Sequence, residues 1–261
     1  MRQGAPNSTD SWCIMRTKLS VNLNKIALLR NSRGHDYPNV IDFANKALAA
    51  GADGITIHPR PDQRHATYND VKELAGFLES RTNAELNIEG YPTDTFLDIV
   101  MKYKPDQVTL VPDAPDQLTS DHGWDLSKYG AFVRDIIERI RSVGIRSSLF
   151  LDPVPEQIDI AADIKTDRIE LYTADYAAAF GTSLEDDVYN RYESAARHAR
   201  DNGLGVNAGH DLNLDNLGRF LDIPGILEVS IGHALTVESL DIGFANVIEK
   251  YIAIIHAANP N

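Results

Sequence analysis

The residues best suited to chemistry in this sequence are not scattered. His58, His210 and His233, three of the chain's eight histidines, each follow directly on a short apolar or β-branched run, and Glu89 and Glu170 fall within or at the end of two more. Neutral imidazole can give or take a proton near pH 7, and a buried carboxyl can be tuned toward the same range. Gathered at one place, such groups would serve repeated proton transfers. Two basic stretches accompany them, Lys25 with Arg30 and Arg33, and Arg60 with Arg64 and His65. Guanidinium forks match phosphate oxygens. The turns Asn207-Ala208-Gly209-His210 and Ile231-Gly232-His233 would add backbone N–H donors for a second anion. These features suit a small phosphorylated ligand. The formal net charge of −13 disfavours nucleic acid and acidic membrane surfaces as partners.

His and Glu also ligate metals, but such a site draws several ligands into one tight set, and no Cys/His cluster here has zinc spacing. No metal is expected. The single cysteine, Cys13, cannot form an intramolecular disulfide. No run approaches the roughly 20 consecutive apolar residues of a membrane helix, and no secretory signal opens the chain, so a cytoplasmic protein is expected.

What must position these residues is a set of alternating elements. From Lys18 onward short β-branched runs alternate with segments of helical period. Strands are predicted at Lys18–Leu23, Gly54–His58, Glu85–Glu89, Gln107–Val111, Arg146–Leu151, Arg168–Tyr172, Gly205–Ala208 and Leu227–Ile231. Helices are predicted at Asn39–Ala50, Asp70–Ser80, Thr93–Lys102, Leu126–Val143, Pro155–Ile164, Leu184–Asn202, Leu214–Leu221 and Val237–His256. Gly51, Gly144 and Gly203 stand where three of these helices should stop, and Asn69 or Asp70 and Thr93 stand where N-caps are expected. Eight strand–helix units predict an α/β fold closed into a (β/α)8 TIM barrel, rather than an open sheet with a glycine-rich first turn. Residues 1–15 are polar and aperiodic and are expected to form a disordered extension, leaving 16–261 as one catalytic domain.

In such barrels the catalytic groups come from the C-terminal strand ends. Those ends carry Asn22 and Asn24-Lys25, then His58 and Arg60, Glu89, Pro112-Asp113, Asp152, Glu170 and Thr173, His210, and Gly232-His233. The strand-seven and strand-eight turns are the expected seat of one phosphate. Lys25, Arg33, Arg60 and His65 are the expected seat of another.

At these residues a family resemblance becomes visible. The runs SVNLNKIALLRNSRG (Ser20–Gly34), GADGITIHPRPDQRH (Gly51–His65), LVPDAPDQLTSDHGWD (Leu110–Asp125), VNAGHDL (Val206–Leu212) and SIGHAL (Ser230–Leu235) resemble the pyridoxine 5'-phosphate synthase family, in order and over nearly the whole chain after Thr17. The resemblance implies a TIM barrel with additional helices and no metal or organic cofactor. The implied assembly is a homo-oligomer, usually an octamer. The implied reaction joins two phosphorylated small molecules, 1-deoxy-D-xylulose 5-phosphate and 3-amino-2-oxopropyl phosphate, into pyridoxine 5'-phosphate with release of phosphate and water. His58, Glu89 and His210 are implied as acid/base groups, and Glu170 as a stabiliser of cationic or enol intermediates. Asn22, Asn24, Lys25, Arg33, Arg60, His65, Thr119, Asp211, Gly232 and His233 are implied as substrate contacts. The long Asp113–Ser127 loop carrying Thr119 is the expected lid. The chain departs from the family form at Asn24-Lys25, where that form has Asp-His, and at Asp211, where it has glycine.

Two other readings compete. A phosphosugar isomerase or aldolase of the same fold would need a strand-end lysine for a Schiff base, and Lys25 in the first loop is the one candidate. A catalytically dead phosphometabolite sensor would need the cations but neither His58 nor Glu89.

Overall fold

The β-branched and aliphatic runs form eight strands: β1 (Lys18–Asn22), β2 (Gly54–Ile57), β3 (Glu85–Gly90), β4 (Gln107–Leu110), β5 (Arg146–Leu151), β6 (Arg168–Tyr172), β7 (Gly205–Gly209) and β8 (Ile226–Ile231). In the computed structural model, which describes residues 16–113 and 120–258, they pair in chain order, all parallel, and β8 pairs back onto β1. The closed (β/α)8 barrel is therefore the observed fold. The extension expected over residues 1–15 lies outside the described residues.

Eleven helices surround it among the described residues: α1 (Asn24–Asn31), α2 (Val40–Ala49), α3 (Tyr68–Leu78), α4 (Asp94–Tyr103), α5 (Leu126–Ser142), α6 (Pro155–Ile164), α7 (Ala174–Ala179), α8 (Glu185–Asp201), α9 (Leu217–Phe220), α10 (His233–Ile242) and α11 (Phe244–Ala258). Periodicity predicts eight, and the differences have local causes. α1 and α7 are short helices that follow β1 and β6 almost at once, and each buries only two residues, too few for a periodic signal. The single helix expected over Val237–His256 is two, divided at Gly243 with φ +86°. α9 is a single turn, because Asn213 Oδ1 accepts from the N–H groups of Asp215 and Asn216 and so competes with helix start. The Thr93 cap is present, accepting from Phe96 N, whereas α3 is capped by Thr67 in a capping box with Asp70.

The strands alternate with period two, and the alternation sets the chemistry of the interior. Leu19, Val21, Ile55, Ile57, Ile88, Val108, Leu110, Leu149, Leu151, Ile169, Leu171, Val206, Ala208 and Val229 are fully buried, each contributing of order 1–3 kcal/mol where the side chain is large. The intervening positions are polar and also buried: Ser20, Thr56, Asn87, Gln107, Thr109, Ser148, Arg168, Glu170, Asn207, Glu228 and Ser230. Bonds between strands that are not neighbours place this second set inside the barrel. Gln107 on β4 donates to Glu228 on β8 at 3.2 Å, and Asn207 on β7 donates to Gln107 at 3.4 Å. The apolar face therefore packs outward against the helices, and a hydrogen-bonded polar column fills the axis where branched aliphatics are usual.

Candidate active site

A cavity of about 370 Å³ opens at the C-terminal ends of the strands. Glu89, Glu170, Tyr172 and Ser230 reach it because the period-two alternation that buries the polar column continues to the rim. Of the residues expected at the site, Asn22, Asn24, Lys25, His58, Arg60, His65, Glu89, Glu170, His210, Asp211, Gly232 and His233 all line this one cavity. Arg33 does not. It is exposed, two residues past the end of α1, while Arg30 on the same helix pairs with Asp70. Thr119 and the expected lid segment around it lie outside the described residues, from 114 to 119. The end of that loop is anchored, with Gly123 N donating to Asp152 at 3.0 Å and Trp124 Nε1 donating to Leu110 O at 2.9 Å.

Short polar turns fix the rim. Asn22 Oδ1 accepts from Asn24 N at 2.9 Å, and Asn24 Oδ1 accepts from His58 N at 2.8 Å, so the two asparagines tie the end of β1 to the end of β2. Lys25 follows in the first turn of α1 and faces the same space. Arg60 is 4% exposed and ion-paired to Asp113, which also accepts from Ser120 at 2.7 Å. At the far side Thr173 donates its hydroxyl toward the Gly209 and His210 carbonyls and holds the turn after β7. That turn is left-handed at both His210 (φ +85°) and Asp211 (φ +57°). The His210 ring packs against Tyr172, centroids 5.1 Å apart, and Phe150, 5.8 Å apart. After β8 the chain enters α10 directly, so the free N–H groups of its first turn, at His233 and Ala234, border the cavity. Bare backbone is required beside it: a Cβ on Gly232 would come within 2.9 Å of Asn22, and one on Gly209 within 2.3 Å of Glu170 Oε1.

Burial then tunes the titratable groups. Burial, with Arg60, His65 and His210 adding positive charge nearby, holds His58 well below the usual imidazole range. Burial with Arg60 and Lys25 brings His65 down to about 4. Burial also lowers His210, against the opposing pull of Asp211. All three rings are therefore neutral at pH 7, each with one nitrogen to donate and one to accept. The carboxyls move the other way. Burial, with Asp113 and Glu228 repelling, raises Glu89 to about 8, and burial with Glu89 and Glu228 raises Glu170 well above the carboxylate range. Neutral imidazoles beside weak carboxylic acids make a set able to pass protons both ways near neutrality.

Several lining residues are not singled out by the sequence reading. Tyr172 closes β6 and walls His210, Ser230 is the last inward residue of β8, and Ser120 supports Asp113. Strand period is the available signal for the first two, since they sit two residues after Glu170 and Glu228. Among the described residues no group of three His, Cys, Asp or Glu side chains is arranged as a metal set. No helix of the structure is long and apolar enough to cross a membrane.

Solved structures similar to this chain are barrels. A tryptophan synthase alpha chain from Legionella pneumophila matches over 98% of this chain and 98% of its own, with TM-score 0.63 and 13% identity. A phosphoribosylanthranilate isomerase from Thermotoga maritima matches over 92% and 99%, with TM-score 0.56 and 14% identity. At that identity the likeness concerns the fold. Sequence relatives are much nearer. A pyridoxine 5'-phosphate synthase of Bacteroides thetaiotaomicron is 50% identical over 236 residues, covering 90% of this chain and 98% of the relative. One from Christiangramia forsetii is 48% identical over 240 residues, covering 92% and 99%. The sequence profile of the pyridoxal phosphate biosynthesis protein PdxJ matches residues 19–257, and the chain belongs to that family.

Proposed function

We propose that this protein is a pyridoxine 5'-phosphate synthase, condensing 1-deoxy-D-xylulose 5-phosphate with 3-amino-2-oxopropyl phosphate to give pyridoxine 5'-phosphate, phosphate and water. The observation that carries the reading is the convergence of His58, His65, His210, Glu89 and Glu170 on one cavity that also holds Lys25 and the start of α10. The amine adds to the sugar-phosphate ketone, water leaves, phosphate is expelled, and carbon–carbon bond formation closes the ring. Every one of these steps moves a proton. His58, Glu89 and His210 are assigned that work, Glu89 because a carboxyl near 8 both holds and releases a proton at working pH. Lys25 and the N–H groups at Gly232 and His233 are assigned to phosphate, as are Arg60 and His65. Asn22, Asn24 and Asp211 complete the substrate contacts, together with Arg33 and Thr119 beyond the observed lining. The enzyme is assigned to the cytoplasm as a homo-oligomer, an octamer by family resemblance.

Incubating the pure protein with both substrates should develop the absorbance of pyridoxine phosphate, and either substrate alone should give none. Conversion of one substrate alone to an isomer or cleavage product would support the isomerase or aldolase reading instead. Because side chains are assigned the chemistry, turnover should survive prolonged chelator treatment. Loss restored by a divalent ion would overturn that assignment.

A further inference from the structure

Beneath Glu170 one hydroxyl hydrogen, that of Thr109, faces two acceptor oxygens. Glu170 Oε2 lies 3.4 Å from Thr109 Oγ1, and the same hydroxyl lies 3.1 Å from Asn87 Oδ1. Asn87 turns its amide nitrogen the other way, donating to Thr56 Oγ1 at 3.3 Å, and Thr56 shares a 2.7 Å bond with Ser20. All five side chains are buried. A hydroxyl has one hydrogen and two lone pairs, and an amide oxygen can only accept. One hydrogen cannot serve both acceptors, and the two contacts are met together when it lies on the shorter one, to Asn87, leaving a lone pair that faces Glu170. An ionised carboxylate would gain nothing from that lone pair and would be repelled by it, whereas a carboxyl O–H would bond to it.

We propose that Thr109 and Asn87 are positioning residues that hold Glu170 as the neutral acid in the resting site. The surroundings agree. Glu89 on β3 and Glu228 on β8 present like charge to Glu170. Arg168, two residues earlier on β6, donates to Asn207 at 3.1 Å and lies 3.7 Å from Glu228, so the cation on the same strand is engaged elsewhere. Oε1 lies so close to the Gly209 backbone that no side chain would fit there, which leaves the carboxyl little freedom to swing away from Thr109. Register places Thr109 directly beside Glu89 on β3, so the same β4 residue neighbours both carboxyls.

The consequence rests on the proposed function. Glu170 enters the reaction as a proton donor and becomes an anion only when a cation forms. When the carbinolamine collapses, the Glu170 O–H bond breaks and its proton joins the leaving hydroxyl. The C–O bond electrons depart with that oxygen as water. An iminium cation remains, balanced by the new Glu170 carboxylate, and Thr109 can then turn its hydrogen from Asn87 to the carboxylate.

Infrared difference spectra of the resting protein test this without substrate. At pH 7, wild type minus Glu170→Gln should show the C=O band of a protonated carboxyl. Thr109→Val should move that band to higher frequency, as the bond to Oγ1 is lost, and Thr109→Ser should leave it in place. Thr109→Ala serves if valine prevents folding, which circular dichroism would report. A carboxylate signal in place of the protonated band overturns the proposal, and so does a band that Thr109→Val or Thr109→Ala leaves unmoved. A protein that shows the band yet makes no pyridoxine phosphate would instead remove the proposed function and leave this inference standing.

Discussion

Glu85 and Glu89 stand four residues apart on β3, both half-buried, and the barrel treats them in opposite ways. Burial alone would raise Glu85, but Arg146 and Lys18, the latter 2.7 Å away, overcome it and hold the carboxyl down to about 2. Glu89 lacks such a counter-ion: burial and the Asp113 and Glu228 carboxylates raise it to about 8, and Arg60, the nearby cation, is paired to Asp113. One end of the strand thus carries a fixed charge and the other a mobile proton. Neighbours, not residue type, divide the barrel into a structural base and a reactive mouth.

The two ends should also respond to pH with opposite sign. Glu85 has a folded pKa below its unfolded value of 4.5, so it stabilises the fold above that value and the contribution is lost as pH falls toward about 2. Glu89 has a folded pKa above its unfolded value, so the fold is favoured below pH 4.5 and loses stability as pH rises toward about 8.

The sharpest way to break this division is Glu89→Gln. Turnover should fall about a hundredfold or more, the usual contribution of a general acid/base group, and His58→Asn should do likewise. The Tm of Glu89→Gln, measured against wild type, should rise at pH 8 and be unchanged at pH 4. A variant that loses activity and also melts earlier at pH 8 would place Glu89 among the structural residues. Arg60→Ala comes next. It leaves Asp113 buried without its ion-pair partner and should cost about 2 kcal/mol of stability, readable by denaturant titration, together with higher KM values. If stability holds and only KM rises, Arg60 serves the ligand rather than Asp113. Glu85→Gln, at the base, should cost roughly 1–2 kcal/mol at pH 7 and nothing near pH 2, with kcat unchanged, because its partners are structural. A fall in kcat there would mean that the axial polar column couples base to mouth.

The barrel is legible in the sequence because both of its signals are local. Each strand is a compact β-branched or aliphatic run and each large helix has a periodic face. The strand ends are legible for the same reason, so the order of runs along the chain is enough to assign His58, Glu89, Glu170, His210 and Gly232-His233 to one mouth. What is not legible depends on contacts across the barrel. Nothing in the neighbourhood of Thr109 or Asn87 in the chain shows that they meet under Glu170, since the three come from different strands. Arg33 is a related case: it is eight residues from Lys25, but α1 intervenes, so it stands exposed two residues past that helix and does not line the cavity as Lys25 does.

Asp211 offers the smallest effect and the finest discrimination within the mouth. It is exposed, borders the cavity, and adopts φ +57°, a conformation that glycine takes freely and aspartate tolerates better than most residues. Its carboxylate pulls against the burial that lowers His210, so removing it should lower the His210 pKa further and shift the acidic limb of the kcat/KM profile to lower pH. If phosphate is held by backbone N–H groups, the carboxylate can point into water and be screened there. Asp211→Gly should then change substrate affinity by less than about tenfold, or 1.4 kcal/mol, while His210→Ala removes most turnover. Should Asp211→Gly cost as much as His210→Ala with the pH profile unmoved, the carboxylate contacts substrate directly, and the turn after β7 binds its ligand through side chains rather than backbone.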